Sequence, residues 1–146
     1  MTRLVNVLLV DRRGHLLMQE RDEHAPRCPE QWGAPGGHVE DGEEFEAAAH
    51  RELEEETGCS LPPGALRLWH EGDFRYTSEQ QTYRYQLWAA GVDWADADIT
   101  CTEGRRIVFV DPAVVPTLDL WESARHFLPR FLASPLYADL AGRAGD

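Results

Sequence analysis

Residues 37–59 read GHVEDGEEFEAAAHRELEEETGC and carry the clearest secondary-structure signals of the chain. Asp41 followed three residues later by Glu44 is typical of a helix start, because both side chains can accept hydrogen bonds from backbone N–H groups of the first turn. Gly58 is typical of a helix end, since glycine adopts the left-handed conformation without strain. The segment therefore predicts a helix over residues 43–57.

Three carboxylates fall on one face of this helix. At about 100° per residue, Glu52, Glu55 and Glu56 lie within about 100° of one another, while Glu54 points the opposite way. Apolar residues fall on or beside the same face: Phe45, Ala48, Ala49 and Leu53. Since that face is the one expected to pack on a core, we expect the three acids to face inward.

The alternative for such an acidic run is a solvated helix face. Like charges three and four residues apart repel by a few tenths of a kcal/mol per pair, and by more when they are partly buried. A cation that gathers Glu52, Glu55 and Glu56 removes this cost. With oxygen ligands and no histidine or cysteine at ligand spacing, the favoured ion is Mg²⁺, with Mn²⁺ as a substitute.

The spacing of these residues resembles the Nudix box of pyrophosphohydrolases. The resemblance is carried by Gly37, then five residues, Glu43, then seven residues, and the run Arg51-Glu52-Leu53-x-Glu55-Glu56-x-Gly58-Cys59. Nine defined positions at fixed offsets are far more specific than a single glycine motif. Cys59 departs from the family, which usually has an aliphatic residue there, but a buried cysteine behaves as a small hydrophobic residue.

The resemblance implies an α/β fold, the Nudix-type α/β/α sandwich with a mixed β-sheet and the box helix on one side. The length of 146 residues favours one domain, so we expect residues 1–146 to be a single Nudix hydrolase domain with its box at residues 37–59.

Alternating and β-branched residues predict the strands of this sheet. They are expected as a hairpin of residues 4–10 and 15–21, strands at 65–76 and 82–90, and a short strand that ends at Val110. Asp111-Pro112 predicts a short helix, and apolar spacing predicts a helix over residues 121–133 that Pro129 kinks. Residues 134–146 carry no clear pattern.

The resemblance also implies roles for the box residues. The Gly37 carbonyl would join Glu52, Glu55 and Glu56 as a metal ligand, whereas without the box a Pro-Gly-Gly sequence is only a turn. Arg51 would pair with Glu43 and so fix the glycine-rich loop against the helix. The alternative for Arg51 is an ordinary helix salt bridge, which contributes little.

Further site residues are expected outside the box. Glu103, on a loop before the last strand, resembles a family glutamate that is an extra metal ligand or the general base, and a surface acid is the alternative. Glu79, in a polar turn, is a lower-ranked candidate.

Substrate contacts are expected at two arginines and one tyrosine. Arg21, at the end of the second strand, matches a family arginine that contacts phosphate, and a solvated arginine is an equal alternative. Arg105 is a candidate phosphate contact. Tyr85 is a candidate for stacking on a nucleobase, although strand aromatics more often belong to the core.

Charge and cysteine content limit the partners. Fourteen Lys and Arg residues against 26 Asp and Glu give a net charge of −12, which disfavours duplex nucleic acid and anionic membranes. Cys28, Cys59 and Cys101 have neither metal-ligand spacing nor a disulfide framework, and the amino end has no signal-peptide pattern. We expect a cytoplasmic protein, monomer or homodimer, that takes a small-molecule substrate.

The resemblance to the Nudix box and the acidic face of the predicted helix together favour a hydrolase acting on acid anhydrides. The predicted reaction is Mg²⁺-dependent cleavage of a diphosphate linkage in a nucleoside di- or triphosphate derivative, of the NTP or dNTP type or the nucleotide-sugar type, by water attack at phosphorus. Glu103 or Glu52 would accept the proton of that water.

Three other functions are weighed against this prediction. A non-catalytic nucleotide-sensing module has little need for three such carboxylates. A diphosphate isomerase relies, by resemblance, on a cysteine in a local motif that Cys28 lacks, and the acidic chain disfavours a role in RNA processing.

Overall fold

A mixed sheet forms the centre of the computed structural model, which describes residues 1–101 and 104–144. Within that part of the chain the sheet has seven strands. They are β1 (Arg3–Val10), β2 (Leu16–Glu20), β3 (Trp32–Gly33), β4 (Gly36–His38), β5 (Arg67–Tyr76), β6 (Gln81–Gly91) and β7 (Arg106–Val110). The helices are α1 (Phe45–Thr57), α2 (Glu122–Leu132) and α3 (Pro135–Ala144), with single 3₁₀ turns at Asp96–Asp98 and Val115–Thr117.

Strand β1 is the central strand and positions the glycine-rich segment. The sheet order is β3-β2-β1-β6-β5, with β4 also paired to β1 and β7 to β2. β1 runs parallel to β6 over its whole length, and its other edge pairs first with β4 and then, at Val10 and Leu16, with β2. The β4 segment is therefore held beside the start of β1, where Val5 faces Gly37.

Side chains of β1 alternate between two apolar cores, one on each face of the sheet. Leu8 packs in the core that includes Phe127 and Phe131 of α2, whereas Leu9 packs in the core that includes Leu53 of α1. Both leucines are fully buried. Helices thus cover both faces, which confirms the predicted α/β/α sandwich with a mixed sheet.

Helix α1 begins two residues later than predicted. Its N-cap is Glu44, with no side-chain capping bond, so the predicted cap at Asp41 is wrong. Gly42 turns the chain with φ +78°, and the Glu43 carboxylate accepts the Glu40 N–H at 3.0 Å, so this segment closes a loop instead of a first helical turn. The end is as predicted: Gly58, at φ +73°, donates its N–H to the Glu54 carbonyl.

The two predicted β5 and β6 strands form a hairpin joined by the turn of residues 77–80. The predicted hairpin of β1 and β2 is correct in direction, but its strands meet only at Val10 and Leu16 because β4 occupies the remaining edge of β1. β2 pairs instead with β7 over its whole length.

The segments after β7 differ in part from the prediction. The predicted helix at Asp111-Pro112 is a turn followed by the 3₁₀ turn Val115–Thr117. α2 continues through Pro129, and the carboxyl-terminal segment forms α3.

In the described residues, every helix is too short or too polar to cross a membrane.

Candidate active site

One pocket brings the glycine-rich strand β4 together with the carboxylates of α1. Its cavity volume is about 350 Å³. Gly36, Gly37 and His38 come from β4, and Glu52, Glu55 and Glu56 come from the last two turns of α1. The segment after β2 contributes Arg21 and Arg27. The pocket therefore combines oxygen donors with a small number of cationic groups.

The three carboxylates differ in exposure. Glu56 is 3% exposed and accepts the Gly36 N–H at 3.1 Å. The Glu52 side chain is 15% exposed, whereas Glu55, at 58%, lies at the pocket mouth. Two of the acids thus face inward as expected and the third faces the opening.

Gly37 leaves just enough space for the Glu52 carboxylate. A Cβ at this position would lie 2.6 Å from Glu52 Oε1 and 2.7 Å from its carboxyl carbon, closer than van der Waals contact permits. The β4 backbone and the Glu52 carboxylate are therefore in direct contact, and any larger residue would displace that carboxylate.

Arg51 connects the segment before α1 with the carboxylates of α1. Its Nε donates to Glu43 Oε2 at 2.8 Å and its Nη2 to Glu43 Oε1 at 3.0 Å. Nη2 also donates to the His38 carbonyl at 3.0 Å, while Nη1 contacts Glu52 Oε1 at 3.1 Å and Glu55 Oε2 at 3.3 Å. The predicted contact with Glu43 is present, and the same guanidinium also neutralises two of the acids.

This ion pair shifts both titrating groups. The hydrogen bonds from Arg51 and from the Glu40 backbone lower the pKa of Glu43 to about 2, and the Glu43 carboxylate in turn raises the pKa of Arg51. Glu43 thus stays ionised through the ordinary pH range.

The residues of the pocket fit a hard divalent cation in donor type. Glu52, Glu55, Glu56 and the Gly37 backbone supply oxygen only, as Mg²⁺ and Mn²⁺ prefer. Across residues 1–101 and 104–144, however, no three histidine, cysteine or carboxylate groups are already drawn together as a metal site. The acids share one pocket, with Arg51 bridging two of them.

Glu103 lies outside the described residues, so its predicted role as ligand or base stays a prediction. Its neighbour Gly104 packs against the end of β2: a Cβ there would lie 2.7 Å from the Glu20 carbonyl oxygen and 3.7 Å from the Arg21 Cα.

Arg21 lies beside the carboxylates, and its contact with phosphate stays a prediction. It lines the carboxylate pocket, and its guanidinium carbon lies 4.6 Å from the Trp121 ring centroid. Within the described part of the chain, the buried Nε of Arg21 has no hydrogen-bond partner. A buried donor without a partner is costly, so an incoming anion is a natural acceptor for it.

Arg105 is not brought to the pocket. Its guanidinium contacts Glu20 at 3.2 Å, Glu23 at 3.2 Å and Glu30 at 3.7 Å. These three acids compete with any phosphate for its donors, and Glu23 and Glu30 belong to the loop of residues 21–31. Arg105 therefore fastens that loop to the start of β7.

Tyr85 lies in the core. It is 2% exposed, its hydroxyl shares hydrogen bonds with Tyr76 at 3.1 Å and Ser123 at 3.3 Å, and burial raises its pKa. It lines a second, narrow cavity beside the pocket, of about 30 Å³, room for about one water. Stacking of a nucleobase on Tyr85 thus needs that cavity to widen.

Arg27 is a site residue that the sequence prediction missed. It lines both the carboxylate pocket and the narrow cavity, and it pairs with Glu79 across 52 positions of sequence. The His38 pKa is lowered by burial and by the positive charges of Arg27 and Arg21. No local pattern in the loop of residues 21–31 marks Arg27, because its partner lies on a distant turn.

Comparison with known proteins supports the fold. A sequence model of the NUDIX domain matches residues 2–131. The MutT protein of Methanosarcina mazei Go1 superposes with a TM-score of 0.74 at 22% identity, covering 89% of this chain and 91% of that one. The MutT NUDIX hydrolase of Burkholderia pseudomallei gives a TM-score of 0.73 at 22% identity, covering 88% and 95%. At these identities the two structures establish a shared fold.

Among curated proteins, the RNA pyrophosphohydrolase of Caulobacter vibrioides is 44% identical over 72 residues. The matched segment is 48% of this chain and 41% of the relative. The chain therefore spans less than half the length of that protein.

Proposed function

Since this chain belongs to the NUDIX domain family, whose sequence model matches residues 2–131, we propose that it is a hydrolase that cleaves a diphosphate linkage. The observation that carries the proposal is the pocket in which Gly37 and the carboxylates Glu52, Glu55 and Glu56 meet. Members of the family generally use a divalent metal, and we propose Mg²⁺, with Mn²⁺ as a substitute.

The residues of the pocket and Glu103 would have different roles in the reaction. Glu52, Glu55, Glu56 and the Gly37 carbonyl would hold the cation. A divalent ion held there would offset charge on phosphate oxygens and would lower the pKa of a bound water. Glu52, oriented by Arg51 Nη1 at 3.1 Å, or Glu103 accepts the proton of the attacking water. Arg21 donates to a phosphate oxygen.

The substrate we propose is a small nucleoside di- or triphosphate derivative, of the NTP or dNTP type or the nucleotide-sugar type. A net charge of −12 opposes the bulk electrostatic attraction by which proteins draw nucleic acid. The name of the Caulobacter vibrioides relative nevertheless favours a second candidate, a diphosphate linkage carried by RNA.

We further propose that the protein acts in the cytoplasm, as a monomer or homodimer. The odd number of cysteines in the sequence and their lack of a disulfide framework support a reducing compartment.

The main rival is a module that binds a nucleotide without turnover, and Glu55→Gln separates the two. Because the Glu55 side chain is 58% exposed, the substitution leaves the packing of α1 unchanged. We expect it to lower Mg²⁺-dependent hydrolysis by at least about 100-fold, since one metal-holding charge is lost. Glu54→Gln, an exposed change on the same helix but outside the pocket, should retain activity.

The measurement is a Mg²⁺-dependent screen of nucleotides, nucleotide sugars and a short RNA with a 5′-triphosphate, with both products identified. The position of cleavage separates the subclasses, and activity confined to the RNA would replace our first candidate with the second. Hydrolysis by Glu55→Gln at the rate of Glu54→Gln would refute the catalytic assignment of Glu55.

A further inference from the structure

Arg27 lies at the boundary between the carboxylate pocket and the narrow cavity of the core. It lines both, and it belongs to the loop of residues 21–31 that enters the pocket after β2. Any substrate whose phosphates rest beside Glu52 and Glu56 therefore approaches this side chain.

The head group of Arg27 is held in place from three sides. Nε and Nη2 donate to Glu79 Oε2 at 3.1 and 3.0 Å, and the guanidinium carbon lies 5.0 Å from the ring centroids of both Tyr76 and Tyr83. The Tyr83 hydroxyl donates to the other oxygen of Glu79, Oε1, at 2.5 Å. Both side chains of the ion pair are partly buried, at 24% and 29% exposed.

These contacts use two of the three nitrogens of the guanidinium, Nε and Nη2. Arg27 Nη1 makes no hydrogen bond within residues 1–101 and 104–144. Arg51 and Arg105 differ, since their donors contact several carboxylates. A guanidinium that is already oriented loses little freedom when it binds an anion.

The acids that line the pocket outnumber its arginines, so an anionic substrate requires further positive donors. Four acids line it, Glu40, Glu52, Glu55 and Glu56, against the two arginines Arg21 and Arg27. A cation can neutralise only some of these acids, and a diphosphate adds further negative charge. Arg21 offers its buried Nε as one donor to an anion in the pocket.

We propose that Arg27 contacts the diphosphate of the substrate and that Glu79, seated on Tyr83, is the positioning residue for Arg27. This inference rests on the proposed function and names a second arginine for its substrate. Glu79 orients the guanidinium through Nε and Nη2, and Nη1 donates to a phosphate oxygen. The competing explanation is that the pair only fastens the loop to the β5–β6 turn.

The test is isothermal titration of imidodiphosphate, a diphosphate that resists hydrolysis, into the protein with MgCl₂. We expect Arg27→Gln to weaken binding by about 10-fold or more, because a charge-assisted hydrogen bond is lost. Arg27→Lys, which keeps the charge without the oriented fork, should lie between that variant and wild type. Arg84→Gln is the matched control: Arg84 pairs with Asp73 at 3.2 Å on the same hairpin but does not line the pocket, so its affinity should be unchanged.

Glu79→Asp tests the positioning role, since it keeps the negative charge but shortens the reach to Arg27. We expect about a 3-fold to 10-fold loss of affinity in the wild-type background and no more than about 2-fold beside Arg27→Gln. Equal losses in both backgrounds would show that Glu79 acts without Arg27.

The remaining outcomes are also decisive. Affinity of Arg27→Gln equal to that of Arg84→Gln, or wild type that does not bind imidodiphosphate, would overturn the proposal. A thermal melt of Arg27→Gln checks that it is folded, and if it is not, Arg27→Lys carries the test. Failure of the proposed function is distinguishable, because it would appear as binding of imidodiphosphate without hydrolysis of any compound in the screen.

Discussion

At the scale of single residues, the ion pair of Glu43 and Arg51 makes the stability of the fold depend on pH. Glu43 has a folded-state pKa of about 2, below its ordinary value of about 4.5. A carboxyl group with a lowered pKa stabilises the fold above its unfolded-state pKa, and that stability is lost as the pH falls through the folded-state pKa. The loss therefore falls between about pH 4.5 and pH 2.

We predict that Glu43→Gln lowers the free energy of unfolding by about 2 kcal/mol at pH 7, because the charge-assisted bonds to Arg51 weaken. The difference from wild type should be complete above about pH 5 and should disappear towards pH 2. Urea denaturation at a series of pH values measures it. Glu44→Gln, an exposed neighbouring change, is the control, and a difference for Glu43→Gln that is independent of pH would contradict the prediction.

Which site residues the sequence predicts depends on how local their signal is. Glu52, Glu55 and Glu56 are predicted because three residues of one helix share a face. Arg27 is not, because its position depends on Glu79, which a separate hairpin brings to the loop. The role of Tyr85 depends on burial, which the sequence does not show. Alternation places Tyr85 on the face of Tyr83 and Leu87, but it does not show that the cavity beside Tyr85 is narrow.

At the scale of elements, strand β4 depends on Gly36. Its φ is +155° and a Cβ there would lie 2.0 Å from the Val5 carbonyl oxygen, so a side chain would push β4 away from β1. We predict that Gly36→Ala lowers the free energy of unfolding by more than about 2 kcal/mol, since backbone strain and lost pairing add. Thermal and urea unfolding measure the change.

The control for Gly36→Ala is Gly42→Ala. Gly42 also has positive φ, +78°, but no atom of the described residues lies within 4 Å of the position that a Cβ would take there. The substitution should therefore cost only about 1 kcal/mol. Equal losses for the two variants would show that the contact with Val5 is unimportant.

The sequence predicts the long elements and misses the short ones for a physical reason. α1, β5 and β6 span enough residues for a period to appear, and Gly58 marks the end of α1. β3 and β4 contain two and three residues, too few for any alternation, and they pair because β1 and β2 present open edges to them. The predicted cap at Asp41 is wrong because Gly42 turns the chain at φ +78° and the Glu43 carboxylate accepts the Glu40 N–H, so a loop closes before the first helical turn.

At the scale of the whole molecule, β1 joins the two cores. Leu8 and Leu9 are adjacent in sequence and fully buried, yet they point to opposite faces of the sheet. We predict that Leu8→Ala and Leu9→Ala each lower the free energy of unfolding by about 2–5 kcal/mol, through lost burial and the cavity left behind. Because both cores share one strand, each variant should still unfold in a single transition.

Calorimetry together with circular dichroism tests this prediction, and with it the expectation that residues 1–146 form one domain. Thr2→Ala, outside both cores, is the control. A second transition in either leucine variant would show that the two faces unfold independently.

Arg51 bridges Glu52 and Glu55 through its own side chain, so these acids have a counter-charge before any ion arrives. Helix α1 should therefore persist in a chelating buffer, and the protein can be stripped of metal and recharged with a chosen one. A crystal grown in that state and soaked first with nucleotide and then with Mn²⁺ would start turnover at a moment set by the experimenter.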